Sequence, residues 1–142
     1  MAKKRKTKVK RKPIPKKKFG FEWIFDDWED DETFLKRRMF GGLAGYLNGK
    51  MMFVIVEGKG ERTWKKKKYN FDLWYGVLVC TSREYHESLL ELAPNLVSHP
   101  VLGKWLFLKG EDKAFESTIS TLSELGSHND ERIGIWPKAR SR

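Results

Sequence analysis

Two kinds of apolar spacing alternate along the chain, and each predicts a different element. Phe21, Ile24, Phe25 and Trp28 recur at i, i+3, i+4 and i+7, which draws one apolar stripe on a short helix with carboxylates opposite. Residues 38–47 and 50–56 are two apolar, β-prone runs separated by Asn48-Gly49. Asn and Gly tolerate the left-handed backbone that a two-residue turn needs, so this pattern predicts a hairpin. Gly41, Gly42 and Gly45 within the first run point to a bulge or to close backbone packing. Residues 58–74 read as a polar, basic excursion, and Tyr75 to Cys80 as a buried strand.

Thr81-Ser82-Arg83-Glu84 then has capping-box spacing for a helix whose buried face is Tyr85, Leu89 and Leu92 and which Pro94 stops. Lys104 to Lys109 reads as a strand, with Ser98 to Leu102 as its partner. Gly110-Glu111-Asp112 opens a last helix with Phe115, Ile119 and Leu122 as its stripe and Gly126 as its end. Arg132 to Trp136 is expected to dock as an edge strand or a packed tail. The predicted order is α-β-β-β-α-β-β-α. That is an α+β fold, a two-layer antiparallel sheet with helices on one face.

Charge adds a second part to this picture. Residues 1–18 hold 11 Lys or Arg and no Asp or Glu. Taking those 11 from the chain's 29 leaves 18 basic against 19 acidic residues at 19–142, so the net +10 belongs to the leader. Like charges repel, and Pro13 and Pro15 favour extended backbone. The composition predicts a disordered basic arm at 1–18 ahead of a single domain at 19–142. A solvated cationic arm seeks polyanions, nucleic acid first.

The contact candidates are Lys3, Lys4, Arg5, Lys6, Lys8, Lys10, Arg11 and Lys12 in the arm, then Lys65, Lys66, Lys67 and Lys68 in the excursion. Trp64 and Tyr69 flank the second set and supply rings on which bases stack. Lys36-Arg37-Arg38 is expected to extend the same face. The acidic run Asp26, Asp27, Glu29, Asp30, Asp31 and Glu32 is expected to pair weakly with the arm when nucleic acid is absent.

Met39-Phe40-Gly41-Gly42-Leu43 followed by Asn48-Gly49-Lys50-Met51 resembles the N-terminal domain of TfoX-type competence regulators. Leu92-Ala93-Pro94, His99 and Gly103-Lys104-Trp105 are similar to the related MmcQ/YjbR-like proteins. The resemblance spans about residues 20–126 and implies an α-β3-α-β2-α arrangement like that of secretion chaperones. It implies a link to transcription or DNA, or a chaperone-like or adaptor role with a protein partner or a second copy, and carries no catalytic residues over. The arm and the long excursion at 58–74 depart from the family pattern.

Other chemistry is sparse. Cys80 is the only cysteine and lies in an apolar run, where a buried strand thiol is expected. His86, His99 and His128 have no metal-ligand spacing, and the acidic run fits no dedicated oxygen cage. Gly41 to Gly45 lacks the Gly-Lys-Ser/Thr ending of a phosphate loop. No catalytic residue, metal or cofactor is therefore assigned, and a non-enzymatic protein is expected. An enzyme reading would need a small molecule near Tyr46, Trp74 and Trp105. No apolar run approaches the roughly 18 residues that span a bilayer, so a cytoplasmic, nucleoid- or ribosome-associated protein is expected. In a eukaryote Lys3-Lys4-Arg5-Lys6 would serve as a nuclear signal.

Overall fold

A computed structural model describes residues 19–58 and 60–137, so the predicted arm lies outside the described residues. A 310 helix at Glu22–Trp28 opens the fold. Three strands follow: β1 at Leu35–Met39, β2 at Gly42–Leu47 and β3 at Lys50–Gly58. A two-residue ribbon, β4 at Thr63–Trp64 and β5 at Lys67–Lys68, precedes β6 at Trp74–Val79. After a 310 turn at Arg83–Tyr85 come α1 at His86–Leu92, β7 at Val97–Ser98, β8 at Leu106–Lys109 and α2 at Phe115–Ser127. Six strands form one antiparallel sheet in the order β1-β2-β3-β6-β8-β7. The fold is α+β, as expected.

Both faces of this sheet are covered, by different means. Ile24, Phe25 and Trp28 of the first helix, Leu89 of α1, and Phe115, Ile119 and Leu122 of α2 pack on one face. The other face carries Val54, Val56, Leu78 and Phe107, covered by Phe71 and Leu73 of the excursion. No helical residue joins that second cluster. β3 is consequently buried from Lys50 through Val56, without the in–out alternation of a half-exposed strand.

The Asn48-Gly49 turn forms where it was expected, with φ of 55° and 84°. The run 38–47 is not one strand, however. Phe40 and Gly41 adopt φ of 56° and 73° and make a second tight turn, so β1 and β2 are themselves a hairpin. The expected order therefore lacked a strand.

A bulge also occurs in this region. Gly45 pairs with Phe53 and Tyr46 with Met51, leaving Met52 as an extra residue in β3. The extra residue shifts the parity, so Met52 and Phe53 both reach the helical face while Met51 and Val54 reach the other. A Cβ on Gly45 would overlap the Phe25 ring, so close packing accompanies the bulge.

Expectations for all three helices need correction. The first element keeps its predicted apolar stripe but is 310. Thr81 Oγ1 donates to the Ser82 carbonyl and no side chain caps the 310 turn, so the capping box does not form. Leu89 is buried, but Leu92, the last helical residue before the chain turns off at Ala93, is 47% exposed. Gly126 lies inside α2 under the Trp28 ring and the Met52 methyl, and Asn129 takes the left-handed position that ends the helix, with φ of 59°. The Asp130 N–H reaches the Leu125 carbonyl at 2.9 Å, which completes the cap.

The stretch 99–105 is a loop, not a continuation of β7. Buried His99 organises it. Its Nε2 donates to the Leu73 carbonyl at 2.7 Å, and its Nδ1 accepts from the N–H groups of Val101 and Leu102 at 3.1 and 3.2 Å. The ring packs on Trp74, with centroids 4.7 Å apart. The end of the chain docks as a packed tail. Ile135 exchanges two backbone hydrogen bonds with Met51, at 2.9 and 3.0 Å, and Gly134 N–H donates to the Cys80 carbonyl at 2.7 Å. Asp130 and Arg132 form a double hydrogen bond, and Arg132 also donates to Ser88 Oγ at 2.7 Å, tying the tail to α1.

Gly45→Ala is expected to cost about 1–3 kcal/mol, read as a lower urea midpoint, because the Phe25 ring must move. His99 gives a pH dependence of known sign. Burial holds its pKa below the usual 6.5, partly offset by the bond to Leu73. The unfolded ring takes up a proton as pH falls through 6.5 while the folded ring resists. The full contribution to stability is thus present above pH 6.5 and declines below it. Melting temperatures from pH 7.5 to 5 are expected to show this decline in the native chain and to lose that component in His99→Gln.

Candidate nucleic-acid interface

The excursion folds back on itself as a closed hairpin. The Tyr69 N–H donates to the Arg62 carbonyl and the Leu73 N–H to the Glu61 carbonyl, both at 2.6 Å. Arg62 Nε donates to Asp72 Oδ1 at 2.9 Å, which satisfies a carboxylate whose side chain is only 7% exposed. The same guanidinium lies 3.6 Å from Glu111. One arginine thus closes the hairpin and neutralises two acids beside it.

Lys65 and Lys66 form the tip, with φ of 52° and 66°. Lys65, Lys66, Lys67 and Lys68 are all exposed, and none forms an ion pair among the described residues. Trp64 is 38% exposed beside them. The two flanking rings have separate jobs. Tyr69 is half-buried against Phe71, with the Lys67 ammonium 5.4 Å from its ring centre. Trp64 is therefore the ring this ribbon presents outward.

Lys3, Lys4, Arg5, Lys6, Lys8, Lys10, Arg11 and Lys12 lie outside the described residues. The point at which the chain enters the fold is described. The Phe21 N–H donates to Glu57 at 2.7 Å, and the Phe21 ring lies 5.2 Å from that of Tyr75. Glu57 is next to the end of β3, where the excursion leaves the sheet, and Tyr75 is the second residue of β6, where it returns. The root of the basic leader and the base of the basic hairpin therefore meet at one end of the sheet.

Lys36, Arg37 and Arg38 do not share a face. β1 is extended, so alternate side chains leave on opposite sides. Lys36 is held by Glu22 and Glu29 at 2.8 and 2.9 Å, and these carboxylates raise its pKa. Arg38 lies over the Phe19 ring on that same side, while Arg37 lies over Tyr46 on the other. Part of the acidic run is thus occupied by Lys36, and Asp31 by Thr33.

The described residues contain no group of three or more His, Cys, Asp or Glu placed to hold a metal. Cys80 is fully buried, which pushes its thiol pKa well up and leaves it a packed apolar side chain. Of the three aromatics whose neighbourhood an enzyme reading would need, Tyr46 and Trp105 line one groove, while Trp74 packs on His99 and Phe40. No local pattern marks the role of Arg62, because its partners are Asp72 across the hairpin and Glu111 beyond β8. No helix among the described residues is long and apolar enough to cross a membrane.

Arg62→Ala is expected to cost about 1–3 kcal/mol by leaving Asp72 buried without its partner. Hydrogen exchange at the Tyr69 and Leu73 amides is expected to quicken more than exchange within β3.

Compared with known protein families, curated proteins and solved structures, the chain matches none.

Proposed function

We propose that this protein is a non-enzymatic nucleic-acid-binding protein that holds phosphate backbones with its basic arm, assisted by the β4–β5 ribbon. One observation carries this reading: the root of the leader and the lysine-rich hairpin emerge at the same end of the sheet. Two cationic segments far apart in sequence can then engage one polyanion. Lysine ammonium groups contact phosphates and leave base edges unread, so recognition is largely independent of sequence. Trp64 adds a stacking surface for unpaired bases. The resemblance to TfoX-type N-terminal domains supports the same reading, and a cytoplasmic setting beside nucleoid or ribosome suits it.

The salt dependence of binding tests this proposal. Engagement of about half of the arm's 11 charges gives a log–log slope of about −5 on duplex DNA. Changing Lys3, Lys4, Arg5, Lys6, Lys8, Lys10, Arg11 and Lys12 to Gln is expected to flatten that slope by about 4. A slope unmoved by these changes would overturn the reading. Trp64→Ala is expected to weaken single-stranded binding about tenfold, with duplex binding and thermal stability unchanged.

A further inference from the structure

The helix-free face is left uncovered along one open groove of about 620 Å³, within the size range of small-molecule sites. Its floor is Met39, Tyr46 and Met51, contributed in turn by β1, β2 and β3. One wall is the loop ending at Trp105. Besides the two bonds at His99 Nδ1, this loop is fixed by His86 Nε2, which donates to the Lys104 carbonyl at 2.8 Å, and by the Trp105 N–H on the Leu102 carbonyl at 3.0 Å. The other wall is the docked tail, where Trp136 is 68% exposed. The groove is therefore framed by backbone held in place on both sides.

Its charge is one-signed. Arg83 and Lys104 stand on the rim, and an Arg83 nitrogen lies 3.3 Å from where a Cβ on Gly103 would sit. Both side chains are exposed, and among the described residues neither forms an ion pair and no carboxylate lines the groove. Two unpaired cations above a floor of thioethers and rings suit a molecule that is anionic at one end and apolar along its body.

We propose that this groove binds a small amphipathic anion, with a carboxylate-type head on the Arg83–Lys104 rim and an apolar body over Met39, Tyr46 and Met51. The floor's one polar side-chain group, the Tyr46 hydroxyl, leaves the several polar edge atoms of a nucleobase without partners. The site is thus separate from the phosphate grip proposed above.

Decanoate and decanol, titrated into the full chain carrying 13C-methyl methionine, test this. Met52 lies on the opposite face of the sheet and serves as an internal control of the fold. The expected result is saturable movement of the Met39 and Met51 methyls with decanoate, no movement of Met52, and decanol at least tenfold weaker. The double substitution R83Q/K104Q is expected to weaken decanoate to the level of decanol while leaving decanol unchanged. A saturating single-stranded oligonucleotide is expected to leave decanoate binding intact. Absence of a saturable shift, equal affinity for decanoate and decanol in the native chain, or displacement by the oligonucleotide would each overturn the proposal. The comparison in the native chain decides the point even if the substituted protein misfolds.

Discussion

A central strand buried on both sides is the constraint from which the rest of this architecture follows. β3 can lose contact with water only if something lies over each face of the sheet. The helices cover one face, and among the described residues no helix packs on the other. Loops must do it. That is why the excursion at 59–73 carries Phe71 and Leu73 beneath its lysines, and why the loop after β7 is cross-linked by a buried histidine. Loop cover is costly, because irregular backbone brings polar groups that need partners. His99 satisfies three of them with one ring, and its neutral form is required for the Nδ1 acceptor.

The same constraint arranges the charges. Because the excursion must return its chain to the sheet, Arg62 and Asp72 face each other across its base and only the lysine tip extends into solvent. On the helical face the acidic run is partly engaged with Lys36 and Thr33. Residues 19–142 are nearly neutral by count, yet their cations are not equivalent. Lys36 and Arg62 are bound to carboxylates, whereas Lys65 to Lys68, Arg83 and Lys104 have no such partner among the described residues.

Much of the fold was legible in local pattern. Asn48-Gly49 announced its turn, and the stripe of Phe115, Ile119 and Leu122 announced α2. What escaped was set by tertiary packing. Phe40-Gly41 makes a turn that no Asn or Pro advertises, so two strands read as one. Gly126 looked like a helix stop, but it is small because Trp28, almost a hundred residues earlier, lies against it. Leu92 has the right spacing for burial, but it ends its helix, and Ala93 and Leu96 beyond it are the residues that pack into the core. At the candidate interface the lysines of the ribbon were legible as a run of like charge. The meeting of that ribbon with the root of the arm was not, because it depends on Phe21 reaching Glu57 and Tyr75. The groove was equally hidden, since its floor comes from three strands and its rim from two loops.

The two anion-seeking regions are separated by the length of the sheet. The arm's root and the hairpin's base lie where β6 begins and β8 ends, beside Tyr75 and Gly110. Arg83 and Lys104 belong to segments at the other end, just after β6 finishes and just before β8 starts. The five steps from Tyr75 to Cys80 span about 17 Å of strand. That is about twice the Debye length at physiological ionic strength. The field of the ribbon's Lys65 to Lys68 is therefore largely screened at the groove's rim, where a negative headgroup would feel mainly Arg83 and Lys104.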